Sequence, residues 1–463
     1  MKHKYFFVCA GLFFSLSVGL FTLVYSAQTK PFIDEIFHIP QTIKYCRGQF
    51  DEWDPKITTL PGLYFVSVGV LMPLSAVTGL DLCCVFGLRA INLVVSVVNF
   101  YLIYKITKLL HPNVTEEWKV LMTAANLALL PPLYFFTFLY YTDTVSTCLV
   151  LLCYLLHLRK RPWLSAIAGF MSVVTRQTNI IWVAFFTLEA IVEFLKDEAV
   201  WRRKKKITNA VESSFKYLQV LNFAASELMR QDSYRIGHFI GRVLADVIGY
   251  VFVGLSFLIF VAYNRSIVVG DKSAHSVTLH FPQLLYFALF ASIFAWPLFI
   301  VKVRQFFQAV LIRRMYYVVA LGLCVLAIHF NSMAHPYLLA DNRHYTFYIW
   351  KRLLSKDKLR DLVIPWYIFG LYCIQDCIKH KSIIFQIAYW GCIVLNLVPQ
   401  KLLEFRYFIV PYLMFRLQAK PGLFWQLLFE MLLALAINIA TVVLFVTKTF
   451  YWTDSAEPQR FIW

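Results

Sequence analysis

The sequence predicts an all-α, polytopic transmembrane protein of roughly ten to fourteen spans. Three observations carry that prediction. Of the 463 residues, 60% are hydrophobic, and mean hydropathy is +0.63. Apolar runs of about 18 or more residues recur along nearly the whole chain. None shows the ten-residue alternation of a membrane barrel. A lipid interior requires each segment to pair its own backbone polar groups, which a helix does. The chain therefore reads as one polytopic membrane domain over residues 1–463.

The elements follow in order. Lys2 and Lys4 precede the first run, and basic residues favour the cytosolic side, so residues 5–27 cross to the lumen. The run is long for a signal-peptide core and lacks a small-x-small cleavage site, so it is retained. Residues 28–81 form a luminal loop. Within it, 62–78 is apolar, short and Pro-flanked, and is expected along the luminal surface. Residues 82–110 return and end in Lys105 and Lys108. The runs 118–138 and 145–157 make a hairpin that turns at Tyr140-Tyr141-Thr142-Asp143. A second hairpin, 163–174 and 179–195, has Arg176 at its tip. Residues 196–236 are the most polar stretch and read as a cytosolic loop. Crossings at 239–262, 283–301 and 315–330 follow, and the last delivers 334–345 to the lumen. If 345–359 does not cross, spans at 362–377, 382–398, 405–418 and 423–447 bring 404–407 to the lumen. The alternative keeps the basic 351–360 stretch in the cytosol and forces 379–381 into the lumen.

Net charge is +18, but the excess sits in short clusters beside apolar spans, such as Arg159-Lys160-Arg161 and the 202–206 run. That placement sets topology and argues against nucleic-acid binding. The ten cysteines are scattered, mostly inside apolar runs. They show no Cys-x-x-Cys pair and no zinc spacing, so neither a metal site nor a disulfide framework is expected. Cys46, in the acidic loop, is the most exposed by this reading.

Polar residues stranded at membrane boundaries are the candidates for chemistry. Asp34 and Glu35 stand where the first run stops, and a carboxylate pair there is costly to desolvate. Asp34 suits a general base; otherwise it caps the following helix. Glu35 points elsewhere on any helix. His38, Trp53 and Asp54 share the loop, Asp54 in a turn before Pro55. Arg176 interrupts an apolar hairpin and needs either a phosphate or an internal Asp. The densest polar cluster holds His335, Asp341, Asn342, Arg343, His344 and Tyr345, whose cationic members suit a leaving phosphate. The plain alternative is a solvated loop. Glu404 and Arg406 are two apart and do not face each other on a helix, so each needs a partner elsewhere. Of the two glycosylation sequons, at Asn113 and Asn264, this topology exposes only Asn264.

Six segments together resemble a known family. Asp34-Glu-Ile-Phe-His38, Trp53-Asp-Pro, Ile57-Thr-Thr-Leu-Pro-Gly-Leu-Tyr64, Arg176-Gln-Thr-Asn-Ile-Ile-Trp182, the string from His335-Pro-Tyr through Tyr348, and Glu404-Phe-Arg-Tyr-Phe408 are similar, in the same order, to the endoplasmic-reticulum α-1,2-glucosyltransferases that use dolichyl-phosphate-glucose. These are GT-C membrane glycosyltransferases. The resemblance runs from 31 to about 413, and Asp34 matches the family's acidic residue after the first span. The polar loop at 196–236 and the C-terminal tail carry no such signature. The resemblance implies an inverting transfer of glucose from dolichyl-phosphate-glucose to the terminal glucose of the diglucosylated dolichyl-diphosphate-linked oligosaccharide. It also implies a site at the luminal face of the endoplasmic-reticulum membrane and no metal or other cofactor. Asp34 would be the base. The other candidates, Glu35, His38, Trp53, Asp54, Arg176, His335, Asp341, Arg343, His344, Tyr345, Glu404 and Arg406, would bind substrate. Two other classes fit many spans with buried charge: a lipid or solute transporter, and a non-catalytic regulatory partner. The chain shows no internal repeat of the kind transporters carry, and its polar clusters crowd one membrane face.

Overall fold

The computed structural model describes residues 2–203, 233–272, 278–453 and 457–463. They are almost entirely helical. The first half runs α1 (Lys2–Ala27), α2 (Glu35–Cys46), α3 (Gly62–Thr78), α4 (Val85–Leu110), α5 (Glu117–Ala128), α6 (Pro131–Phe135), α7 (Thr142–Leu158), α8 (Pro162–Thr175) and α9 (Ile180–Arg203). The second half runs α10 (Ser233–Asn264), α11 (Pro282–Phe294), α12 (Trp296–Phe299), α13 (Val303–Ile312), α14 (Arg314–Phe330), α15 (Pro336–Ala340), α16 (Tyr345–Ile349), α17 (Asp357–Leu362), α18 (Ile364–Ile378), α19 (Ile383–Leu397), α20 (Ile409–Gln418) and α21 (Phe424–Thr447). Two short strands, β1 (Thr449–Phe450) and β2 (Gln459–Arg460), pair antiparallel after α21. Of the expected cytosolic loop at 196–236, residues 204–232 lie outside the described residues.

Six helices among the described residues are long and apolar enough to cross a membrane, and eight if each of two bent pairs counts as one span. Five further apolar helices are shorter. The bent pairs correct the sequence reading, which took 118–138 and 283–301 as single runs. The first bends by 67° between Ala128 and Pro131, and the second by 90° at Ala295. Pro131, Pro132 and Pro297 lie at these breaks, where the missing N–H cannot continue the ladder. The 345–359 stretch is broken into α16, a π-helical turn at Trp350–Leu354 and the start of α17. None of these pieces is long enough to span.

The core is aromatic. Phe6 and Phe13 of α1 pack on Phe100 of α4, and Phe290 of α11 packs on Phe408 and Tyr412. Two glycines mark close approaches that shape the cavity below. A Cβ at Gly62 would lie 2.6 Å from the Thr175 backbone nitrogen, so α3 can abut the end of α8 just before Arg176 only without a side chain. Gly270, at φ +64°, would place its Cβ 2.3 Å from the Pro55 carbonyl. The loop after α10 thereby docks on residues 55–58, with Asp271 N–H donating to Pro55 O at 2.7 Å.

Cys46 and Cys83 form a disulfide, which corrects the expectation that none would form. It ties the end of α2 to the turn before α4. Both cysteines stand outside the apolar spans, and sequence spacing does not reveal such pairings.

Candidate active site

The exit of α1 is built around a buried ion pair. Glu35 and Arg89 are both fully buried, with Arg89 Nε donating to Glu35 Oε1 at 2.8 Å. Arg89 also donates to the carbonyls of Gln28 and Lys30, while Glu35 accepts from the Phe32 and Tyr140 backbone N–H groups. Every part of this staple has a hydrogen-bonding partner, as burial of charge requires. It bends the chain sharply, and Ile33 adopts φ +52°. That left-handed conformation is strained for a β-branched residue. Asp34 emerges from the turn with its backbone N–H donating to Tyr141 Oη at 3.2 Å. Its side chain makes no capping bond to α2, so the capping reading does not describe it.

Asp34 opens into a cavity of about 710 Å³. His38, Arg176, Asp341, Arg343, His344, Glu404 and Arg406 line the same cavity. The segments that carry them come from α2, the α8–α9 turn, the α15–α16 loop and the turn before α20. The other five candidates do not line it. Glu35 is consumed by the Arg89 staple. Trp53 donates to Ile57 O, Asp54 Oδ1 accepts from Lys56 N–H, His335 caps α15, and Tyr345 packs on Trp463. These four shape the loops behind the wall.

At the cavity's acidic end Arg406 is shared. Its Nη1 donates to Asp34 Oδ2 at 3.2 Å and lies 3.7 Å from Asp143 Oδ2, and Nη2 pairs with Glu404. The guanidinium carbon sits 5.3 Å from the Phe136 ring centre and 5.2 Å from that of Tyr141. Arg176 pairs with the other oxygen of Asp143. The cluster thus joins three carboxylates and two guanidiniums. Glu404 and Arg406 do meet, contrary to the helical expectation, because Glu404 is extended (φ −138°, ψ 130°) ahead of a 3-10 turn at Phe405–Phe408. Burial would raise the Glu404 carboxyl, but Arg406 beside it more than offsets this and holds it below its ordinary value.

Asp143 is a site residue absent from the sequence candidates. It opens α7 and is almost fully buried. The available signal was Arg176, which needed either a phosphate or an internal Asp; the pair shows the Asp. Asp34 is the most open acid of the cluster, its side chain 38% exposed.

At the other end Asp341 grips Arg343 with both oxygens, at 2.8 and 2.7 Å. The Arg343 guanidinium also lies 4.5 Å from the Trp452 ring centre. Burial pushes the Asp341 carboxyl up, and Arg343 with His344 brings it down to below its usual range. His344 Nδ1 lies 2.8 Å from Trp463 O. That main-chain oxygen only accepts, so Nδ1 carries the hydrogen. His38 Nδ1 is 2.6 Å from Tyr64 Oη. Burial holds His38 below its ordinary value, against the pull of Asp34.

An acid open to solvent, locked cations and a partly apolar wall in one cavity suit group transfer from an anionic donor. Comparison with known proteins decides the family. The model of the DIE2/ALG10 family matches residues 28–417. The chain belongs to the DIE2/ALG10 family. Among relatives, a Mus musculus protein named Dol-P-Glc:Glc(2)Man(9)GlcNAc(2)-PP-Dol alpha-1,2-glucosyltransferase is 39% identical, covering 100% of this chain and 99% of that one. Proteins of the same name from Drosophila melanogaster and Arabidopsis thaliana are 39% and 33% identical over 93% and 94% of this chain, and over 93% and 95% of their own lengths. The DIE2/ALG10 match takes in every charged residue of the cavity named above and stops before α21 and the tail.

Proposed function

We propose that the chain is an inverting membrane glucosyltransferase. It moves glucose from dolichyl-phosphate-glucose to the terminal glucose of the diglucosylated dolichyl-diphosphate-linked oligosaccharide, in α-1,2 linkage. The names of full-length relatives support the reaction. The observation that carries the residue roles is the shared cavity of Asp34 with Arg343, His344 and Arg406.

The donor is a β-linked glucosyl phosphate and the product linkage is α, so one displacement suffices. The acceptor hydroxyl attacks the anomeric carbon as the bond from that carbon to the phosphate oxygen breaks. Asp34 accepts the hydroxyl proton; a positioned base contributes roughly 10²–10⁴-fold. Arg406, 3.2 Å away, orients its carboxylate. Negative charge grows on the departing dolichyl phosphate. Arg343, held flat by Asp341 and Trp452, offers N–H donors to that charge without needing to reorganise. Arg406 is already shared among Asp34, Asp143 and Glu404, which makes it scaffold for the acid; Arg343 and His344, at the other end of the cavity, are assigned to the phosphate, with Arg176 the alternative.

The site faces the lumen of the endoplasmic reticulum in this reading. The Cys46–Cys83 disulfide lies at the end of the helix that follows Asp34, and disulfides persist in oxidising compartments, which supports that orientation. Cells lacking the gene should accumulate the diglucosylated lipid-linked oligosaccharide, read by mass spectrometry. Restoring the wild-type chain should clear it, and restoring Asp34→Asn should not. An unchanged pool on deletion would instead favour the transporter or regulatory reading.

A further inference from the structure

Residues 457–463 return from beyond α21 and touch both the end of α1 and the Arg343–His344 wall of the cavity. On the α1 side, Arg460 is almost buried, and its Nη2 donates to Ala27 O at 2.7 Å. Its Nη1 donates to Phe445 O at 2.7 Å and Val446 O at 3.0 Å. Ala27 leads directly into the Arg89–Glu35 staple that orients Asp34.

On the other side the same segment holds the Arg343 loop. Gln459 Oε1 accepts from Arg343 Nη1 at 3.1 Å. Ile462 N–H donates to Arg343 O at 2.9 Å, Tyr345 N–H donates to Ile462 O at 2.9 Å, and Trp463 O accepts from His344 Nδ1. The Trp463 ring packs on Phe405, next to Arg406, with centres 5.6 Å apart. One short stretch therefore fixes the backbone of residues 343–345, a nitrogen of each cationic side chain there, and the approach to Asp34. Cations that must meet developing charge work best when their own geometry is set beforehand.

We propose that residues 459–463 set the donor-binding geometry of the cavity, with Gln459 as a positioning residue that holds Arg343 and Arg460 as the anchor that ties the segment to the ends of α1 and α21. This deepens the glucosyl-transfer reading and rests on it. These residues lie outside the family match, which ends at 417, and they act through the Gln459 and Arg460 side chains and the main chain of Ile462 and Trp463.

The test uses the purified full chain in detergent, with dolichyl-phosphate-glucose and the diglucosylated acceptor. Wild type, Gln459→Ala, Gln459→Glu and Arg460→Ala are compared. Gln459→Ala should raise the donor KM about tenfold, as loss of one charge-assisted hydrogen bond does. Its acceptor KM should stay near wild type, and Gln459→Glu, which keeps an oxygen facing Arg343, should restore the donor KM. Backbone amides of 343–347 should exchange faster in Gln459→Ala and Arg460→Ala. Wild-type donor KM and exchange in both alanine variants would overturn the positioning role alone. A fall in kcat with rises in both KM values, tracking a lower melting temperature and not restored by Gln459→Glu, would reduce the tail to a structural support and overturn it too. Absence of transfer by wild type would overturn the glucosyl reading and, with it, the donor role.

Discussion

Arg406 and Arg343 are fixed in different ways, and the difference assigns their work. Arg406 is shared among Asp34, Asp143 and Glu404. Arg343 has one carboxylate partner, Asp341, and a ring face. Arg343→Ala should therefore cost about 3 kcal/mol of transition-state stabilisation if it meets the leaving phosphate. A normal rate with dolichyl-phosphate-glucose would move that contact to Arg176 or Arg406. Glu35 makes the opposite case. Glu35→Gln leaves Arg89 charged, buried and without a counter-ion, and should destabilise the fold by about 3 kcal/mol. A lowered thermal midpoint in detergent with an unchanged donor KM is expected. An unchanged midpoint with a raised donor KM would return Glu35 to the substrate. Asp34, Arg176, Arg343 and Arg406 were legible as candidates because a charge among apolar residues needs a reason. Asp34 and Glu35 read as pointing apart, but what Glu35 holds was not legible, since it depends on Arg89, a residue 54 positions further on inside a run that reads as a crossing.

At the scale of elements, the long apolar helices were legible from hydropathy, and their breaks less so. The bends at Ala128–Pro131 and at Ala295 reverse neither hydropathy nor charge, so the runs on either side read as continuous. Asp143 reads as a hairpin turn, and only the fold brings it between Arg176 and Arg406. The Cys46–Cys83 pairing is likewise a three-dimensional fact. The two cysteines are 37 residues apart, and the chain-entropy cost of freeing a loop of that length is about 3–4 kcal/mol. Replacing both by Ser should lower the thermal midpoint, and non-reducing peptide mapping of the wild type should recover one linked peptide pair. Alkylation of both thiols without reductant would contradict the pairing. The tail is the least legible element, because its contacts with Ala27, Arg343 and His344 join residues far apart in sequence.

At the scale of the molecule, protons couple to stability through buried histidines outside the spans. Burial holds His38 and His280 below their ordinary values and pushes His111, which is bonded to Leu417 O, down to about 4. The unfolded chain then takes up protons first. Stability is full above about pH 6.5 and declines as pH falls toward 4, with His111 alone contributing about 3 kcal/mol. Thermal unfolding in detergent should show a lower midpoint at pH 4.5 than at pH 7.5, and His111→Gln should flatten that dependence. An equal or higher midpoint in acid would contradict the assignment. The chemistry joins residues from α2, the α15–α16 loop and the turn before α20 in one cavity. It is tested most directly by single-turnover transfer with purified wild type and Asp34→Asn, using dolichyl-phosphate-glucose and the diglucosylated acceptor. Wild type should give the triglucosylated product, and Asp34→Asn none, at the same thermal midpoint and donor affinity. Transfer by Asp34→Asn at the wild-type rate would contradict it.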